Sequence, residues 1–512
     1  MVKTGLAWLA VAAWFACGTA NALAPPPVVK VDGGAVGGTF EQGHRAFRGI
    51  PFAAPPVGAQ RWQPPQPVAP WPRVRSGRNF GNRCMQLPLF SDMVFRSPGV
   101  SEDCLYLNVW TARTGDDAKR PVLVYFHGGG LAAGDGSEPR YDGGAMARRD
   151  IVVVTANYRL GVFGFLAHPE LSAASPSKVS GNYGLMDQVA ALRWVRNNIA
   201  RFGGDPDQVT IAGESAGSFS VSALMAMPSA RGLFARAIGE SGSVLGRPVP
   251  TLQEAEQQGT AFAKAAGHES LAALRKAPAE ALLKAGARPG MPWFGIVADG
   301  AALTEQPLET YRRGGQAPVP LLAGWNSQEQ DARAILGEQA PTRENFDAAL
   351  QKLYGDRAPD AAKAYAYDVE AAARDLASDR WIVHGTWKWI DLQAKVAPTY
   401  RYYFTRPRPA STDGKPAGTG ATHSAEIEYA LGNLDGNKVY LWQSGDRQAS
   451  EAMQAYFANF IRTGNPNGKA LPAWPLVTEP GANVMRLDVE PAAFDPKDGA
   501  RFEFHERQAA RP

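Results

Sequence analysis

Short runs of aliphatic and β-branched residues alternate with helix-spaced apolar positions across residues 105–240. Val122-Leu123-Val124-Tyr125-Phe126 and Ile151-Val152-Val153-Val154 are unbroken apolar runs of strand length, the pattern of a strand buried on both faces. Val189, Leu192, Val195 and Ile199 recur at helical spacing, and Gly203-Gly204 ends that helix. Val209-Thr210-Ile211 predicts a further strand, followed by a helix over 216–227. Strand–helix alternation of this kind predicts an α/β fold: a mostly parallel sheet with helices on both faces. From about 250 to 400 the pattern turns helical, with stretches at 254–266 and 360–377, and predicts a cap-like region over the carboxyl edge of the sheet. Leu321-Leu322-Ala323 interrupts it and reads as a strand, and residues 407–420, rich in Pro, Gly, Ser and Thr, predict a mobile loop.

Composition adds bounds. The 512 residues are 45% hydrophobic and 20% charged, enough to bury a large core. The net charge of +4 is spread in isolated pairs such as Arg148–Arg149 and Arg312–Arg313. No basic stripe is present to track phosphates, so nucleic acid is not an expected partner. Lys3, an apolar stretch over 6–16 and Ala20-Asn21-Ala22 read as a signal peptide cleaved after Ala22, leaving one domain over 23–512. The apolar stretch is shorter than the roughly 20 residues a span requires, so no membrane anchor is expected. Removing that leader leaves two cysteines, Cys84 and Cys104. Their spacing alone leaves a bridge and two free thiols open; export to an oxidising compartment favours the bridge. A loop of that length is worth about 3 kcal/mol in the chain-entropy view.

Gly213-Glu214-Ser215-Ala216-Gly217 carries the first chemistry. It lies between a strand run and a helix pattern, where a sharp turn projects the serine hydroxyl above the sheet as a nucleophile. His127-Gly128-Gly129-Gly130 follows directly on a strand run. Glycines at that point let backbone N–H groups converge on a developing oxyanion, with Gly129, Gly130 and the Ala216 N–H as the expected donors. A phosphate cradle is disfavoured, because no Gly-Lys-Ser/Thr follows.

Together with Phe47-Arg48-Gly49-Ile50-Pro51-Phe52-Ala53, Ser101-Glu102-Asp103-Cys104-Leu105-Tyr106-Leu107-Asn108, Gly181-Asn182-Tyr183-Gly184-Leu185-Met186-Asp187-Gln188, Gly203-Gly204-Asp205-Pro206 and Thr463-Gly464-Asn465-Pro466-Asn467, these motifs resemble the type-B carboxylesterases, which include the cholinesterases, over nearly the whole chain. The resemblance implies the α/β-hydrolase fold and ester hydrolysis through an acyl-enzyme, with no metal or organic cofactor. The order of parts in that fold is nucleophile, acid, histidine. Of the histidines after Ser215, His423 in Thr422-His423-Ser424-Ala425-Glu426-Ile427 matches the family's catalytic segment. Gly324-Trp325-Asn326-Ser327-Gln328-Glu329 matches G-x-N-x-x-E, which makes Glu329 the expected acid and Asp331 its rival. The resemblance further implies that Glu214 and Ser241 line the triad and that Arg48 pairs with Glu102 to brace the disulfide loop. It also implies room beside the triple glycine for esters of bulky tertiary alcohols. Ser215 and His423 argue against the adhesion proteins that share the fold without the nucleophile. A cholinesterase is disfavoured because residues 85–103 hold no tryptophan. The expected partner is a small-molecule ester, with a larger natural or synthetic ester (a toxin, a lipid or a polyester fragment) as the alternative, and a monomeric state is favoured.

Overall fold

Eleven strands form the main sheet of the computed structural model, which describes Met1 and residues 26–115, 117–478 and 483–509. In chain order they are β1 (Thr39–Glu41), β2 (His44–Pro51), β3 (Tyr106–Thr111), β4 (Arg120–Phe126), β5 (Val152–Ala156), β6 (Gly204–Glu214), β7 (Arg236–Glu240), β8 (Leu321–Asn326), β9 (Thr399–Phe404), β10 (Val484–Leu487) and β11 (Ala492–Phe494). Their spatial order is β11-β10-β9-β8-β7-β6-β4-β5-β3-β2-β1. The run from β5 through β4, β6, β7, β8 and β9 to β10 is parallel, and antiparallel strands close both edges. The signal-peptide reading falls, apart from Met1, outside the described residues. Among the described residues no helix is long and apolar enough to cross a membrane.

The unbroken apolar runs have a direct cause. Successive side chains of a strand point to opposite faces, and here both faces are covered. Val122, Val124 and Phe126 enter one core with Val152, Val154 and Ile211. Leu123 and Tyr125 enter a second with Val153 and Ala212. Helix Tyr183–Asn198 closes the first core with Leu185, Val189, Leu192 and Val195, and Ser444–Thr463 closes the second with Met453, Phe457 and Phe460. Each fully buried side chain of this kind contributes about 1.5–3 kcal/mol. Gly203, at φ 82°, ends the first of these helices after a short 3-10 turn.

The strand read at Leu321-Leu322-Ala323 is present: β8 runs through the middle of the region 250–400, buried along its whole length. One expectation about helices changes. The stretch 360–377 is two helices, Ala358–Ala364 and Val369–Ser378. Asp368 caps the second by accepting from the Ala371 N–H, and buried Tyr365 leaves the first to donate its hydroxyl to Asp379 at 2.6 Å. A residue that satisfies a free helix N–H favours a new start over continuation. The loop 407–420 is pinned by Arg408, which donates to Glu428 and the Ser424 carbonyl, and by a bridge from Ser411 to Tyr440.

Cys84 and Cys104 are joined by a disulfide, their Cα atoms 4.9 Å apart. Protein purified from an oxidising compartment without residues 1–22 is expected to show no free thiol in denaturant. Two titratable thiols would remove the bridge.

The expected Arg48–Glu102 pair does not form. Arg48 makes a two-pronged pair with Glu41, both contacts 2.6 Å. Glu102 makes the same kind of pair with Arg61, again at 2.6 Å twice. The reason lies in strand parity: Glu41 pairs opposite His44 in the β1–β2 hairpin, so Glu41 and Arg48 share a face. Glu102 still braces the disulfide loop, but toward Arg61, which also donates to the Ala277 carbonyl at 2.8 Å.

Candidate active site

Parallel register delivers four chain segments to one edge of the sheet. Gly213 lies opposite Phe126, Glu214 opposite Glu240, and Glu240 opposite Gly324. The residues that follow each strand therefore emerge side by side: 127–130, Ser215, Ser241 and 327–329.

Ser215 stands at the turn between β6 and helix Ala216–Ala226 with φ 54° and ψ −120°. Such a backbone costs a non-glycine residue about 1–3 kcal/mol and persists only when its surroundings impose it. The Ser215 N–H donates to the Glu240 carbonyl at 2.8 Å, and its carbonyl accepts from the Phe219 N–H at 2.9 Å. The flanking glycines are required by space. A Cβ on Gly217 would lie 2.1 Å from the Phe126 carbonyl oxygen, and one on Gly213 would lie 2.5 Å from the Gly217 carbonyl carbon.

The loop after β4 carries Gly129 and Gly130. Gly129 and Gly130 adopt φ 100° and 64°. Among the described residues, the N–H groups of Gly129, Gly130 and Ala216 have no hydrogen-bond acceptor within the protein. The Ala216 N–H also opens a helix, where negative charge is favoured. The room expected beside the three glycines is partly taken. A Cβ on Gly130 would lie 2.8 Å from the Trp293 ring, whose Nε1 donates to the Gly130 carbonyl at 2.9 Å.

His423 Nδ1 lies 2.7 Å from Glu329 Oε2. Glu329 is buried and also accepts from the Ser241 hydroxyl at 2.7 Å and the Asn326 N–H at 2.6 Å. Asp331 is exposed and accepts from the Arg333 N–H. Of the other histidines after Ser215, His384 sits against Glu506 at 2.8 Å and His505 against the Tyr365 hydroxyl at 2.8 Å. His423 Nε2 approaches Glu214 Oε1 at 3.2 Å without hydrogen-bond alignment. Among the described residues no hydrogen bond joins it to Ser215; catalytic bonds of this kind commonly tighten only in the substrate complex.

Three further residues complete the surroundings, none of which the sequence singled out for a role. Glu426 accepts from the Ser241 hydroxyl at 3.1 Å and from the Asn326 side-chain amide. Glu240 is fully buried and accepts from the Tyr125 hydroxyl at 3.1 Å. Trp381 lies on a π-helical turn, Asp379–Val383, with its ring centroid 4.6 Å from that of His423. A carboxylate closing the apolar strand Ala237–Glu240, and another three residues after His423, are signals a reader could have weighed. Nothing local marks Trp381.

Buried carboxylates this close cannot all be charged. Glu214 is pushed up to about 8, first by burial and then by Glu426, against the pull of His423. Glu426 is pushed up to about 7 by burial and by Glu329. Glu240 is held well above the ordinary carboxylate range by burial and by Glu426. For His423, burial opposes the charge, but Glu214 and the bonded Glu329 outweigh it and raise the imidazole to about 9. Its side chain is 24% exposed, so solvent screens these charges in part. A base must be neutral to accept a proton. Activity should therefore rise with pH through an apparent pKa above the ordinary histidine value of about 6.5, a property of the coupled group. Glu214→Gln removes a negative charge beside the imidazole, destabilises the imidazolium and should move that limb to lower pH. A kcat/KM profile unchanged in Glu214→Gln would contradict the coupling.

A family model described as the carboxylesterase family matches residues 25–504. The chain belongs to the carboxylesterase family. It is 37% identical over 477 residues to a fumonisin B1 esterase of Sphingopyxis macrogoltabida, covering 88% of this chain and 84% of that protein. It is 36% identical over 480 residues to the para-nitrobenzyl esterase of Bacillus subtilis, covering 90% and 95%. Among solved structures, a carboxylesterase of Geobacillus stearothermophilus superposes with a TM-score of 0.80 at 33% identity, over 93% of this chain and 99% of that one. The fold is the α/β-hydrolase fold, and this carboxylesterase-family member is a carboxylic ester hydrolase.

Proposed function

We propose that the protein hydrolyses small carboxylic esters in two steps, with Ser215 as nucleophile, His423 as base and Glu329 as the orienting acid. The observation that carries this reading is the 2.7 Å bond from His423 Nδ1 to buried Glu329, beside a serine held at φ 54°. That bond directs the neutral imidazole's lone pair to Nε2, the nitrogen that must take the serine proton. As Ser215 Oγ attacks, the ester carbonyl oxygen becomes anionic and is met by the N–H groups of Gly129, Gly130 and Ala216. The imidazolium then protonates the leaving alcohol. Water, activated by the same imidazole, attacks the acyl-serine and regenerates the hydroxyl.

Glu214 and Ser241 act as positioning residues in this scheme. Ser241 has one hydroxyl proton to share between Glu329 and Glu426, which supports a protonated Glu426. The Cys84–Cys104 bridge supports an exported protein. The test joins turnover to labelling. Wild-type protein should hydrolyse p-nitrophenyl acetate and take up one fluorophosphonate, located by mass spectrometry on Ser215. Turnover with the label on another residue would overturn the assignment of the nucleophile.

A further inference from the structure

A run of three glycines is a loose backbone, since no Cβ restrains it. An oxyanion hole needs the opposite: its N–H groups must already be aimed when charge develops. A trans peptide points its C=O and its N–H in opposite directions, so a tether on one carbonyl aims the N–H of the next residue. The Gly128 carbonyl accepts from His127 Nδ1 at 2.9 Å, which aims the Gly129 N–H. The Gly129 carbonyl accepts from the Ala132 and Ala133 N–H groups at 3.1 and 3.0 Å, which aims the Gly130 N–H. Both tethers are local. The Gly130 carbonyl is held from 163 residues away, where Trp293 Nε1 donates to it at 2.9 Å. The peptides on both sides of the Gly130 Cα are thereby tied, and Gly130 is locked at φ 64°.

The indole fits because position 130 lacks a side chain: a Cβ there would lie 2.8 Å from Cζ2 of the Trp293 ring. Trp293 itself is 62% exposed, so burial does not explain where its ring lies. The segment that carries it is anchored instead. Phe294 is buried edge-on against Phe262 of helix Leu252–Ala265, with ring centroids 5.3 Å apart. Val297 exchanges two hydrogen bonds with the Asn182 side chain, at 2.8 and 3.0 Å.

We propose that Trp293 is a positioning residue for the oxyanion hole, its indole N–H fixing the Gly130 peptide so that the Gly130 N–H faces the carbonyl oxygen of the bound ester. The inference rests on the esterase reading above. Trp293 touches no reacting atom in this role; it acts through Gly130, and it makes the hole depend on a segment far away in the chain.

The test separates the N–H from the ring. Trp293→Phe keeps an aromatic ring and loses the donor. Trp293→Gln loses the ring but keeps an N–H the same number of bonds from Cβ. The substrate is p-nitrophenyl acetate, whose acyl group is small enough to keep ring–substrate contact out of the comparison. Trp293→Phe should lower kcat about tenfold with little change in KM, because an N–H that is no longer held in place is missed mainly in the transition state. Trp293→Gln should restore most of what Trp293→Phe loses. Affinity for an aryl trifluoromethyl ketone should follow kcat/KM across the three proteins. In that adduct Ser215 Oγ bonds the ketone carbon, His423 takes the hydroxyl proton and the ketone oxygen becomes the anion. The exposed position should leave the melting temperature of both variants within a few degrees of wild type. Unchanged kcat in Trp293→Phe, or a loss in Trp293→Gln as large as in Trp293→Phe, would overturn the inference, the second by assigning the effect to the ring. A rise in KM with kcat retained would assign Trp293 to substrate binding and overturn it too. Wild type unable to turn over the acetate would instead sink the esterase reading, and the inference with it.

Discussion

Ser215→Ala should lower turnover of a short p-nitrophenyl ester by about 10⁵–10⁶-fold, the size of loss found when a triad nucleophile is removed. Only the hydroxyl leaves. Alanine keeps the Cβ, so the strained backbone at φ 54° is unchanged, and the N–H to the Glu240 carbonyl remains. The melting temperature should therefore stay within a few degrees of wild type. Residual turnover would come from the N–H groups of Gly129, Gly130 and Ala216, which still favour the oxyanion when water attacks directly. Near wild-type turnover in this variant would remove Ser215 from the mechanism.

Glu329→Gln should cost on the order of 10⁴-fold in kcat, by the logic of a triad acid that fixes the imidazole tautomer. The carboxylate now accepts three hydrogen bonds, from His423, Ser241 and the Asn326 N–H. A glutamine can accept with one oxygen only, and its NH₂ would oppose a donor. KM should change little, because Glu329 lies behind His423, away from the substrate. Asp331→Asn is the control. That carboxylate is exposed and accepts from the Arg333 N–H, so its loss should leave kcat within about twofold, as for a surface group. A loss below about tenfold in Glu329→Gln would show that Glu426, which shares the Ser241 hydroxyl, can take over the acid's place.

What the sequence determined by itself is what neighbouring residues can encode. Unbroken runs such as Val122–Phe126 marked strands buried on both faces, because a strand with one wet face would have alternated. Gly213 and Gly217 marked the sharp turn at Ser215, because any Cβ there meets backbone within 3 Å. The triple glycine marked a loop able to turn its N–H groups outward, and the order of Ser215, Glu329 and His423 was readable along the chain. Tertiary structure decided which charges meet. Arg48 found Glu41 through hairpin parity, and Glu102 found Arg61, a pairing no local pattern expressed. Glu329 rather than Asp331 faces His423 because the bridge between Gln328 and Thr422 brings those two loops together. The clustering of Glu214, Glu240, Glu329 and Glu426, and with it the upward shift of His423, arises because parallel register delivers residues far apart in sequence to one sheet edge. Trp293 and Trp381 reach that edge from the helical segments after β7 and β8. Carboxylates and tryptophans are common in any chain, so only the packing of distant segments, and the low-dielectric space it encloses, turned these into neighbours of Ser215 and His423.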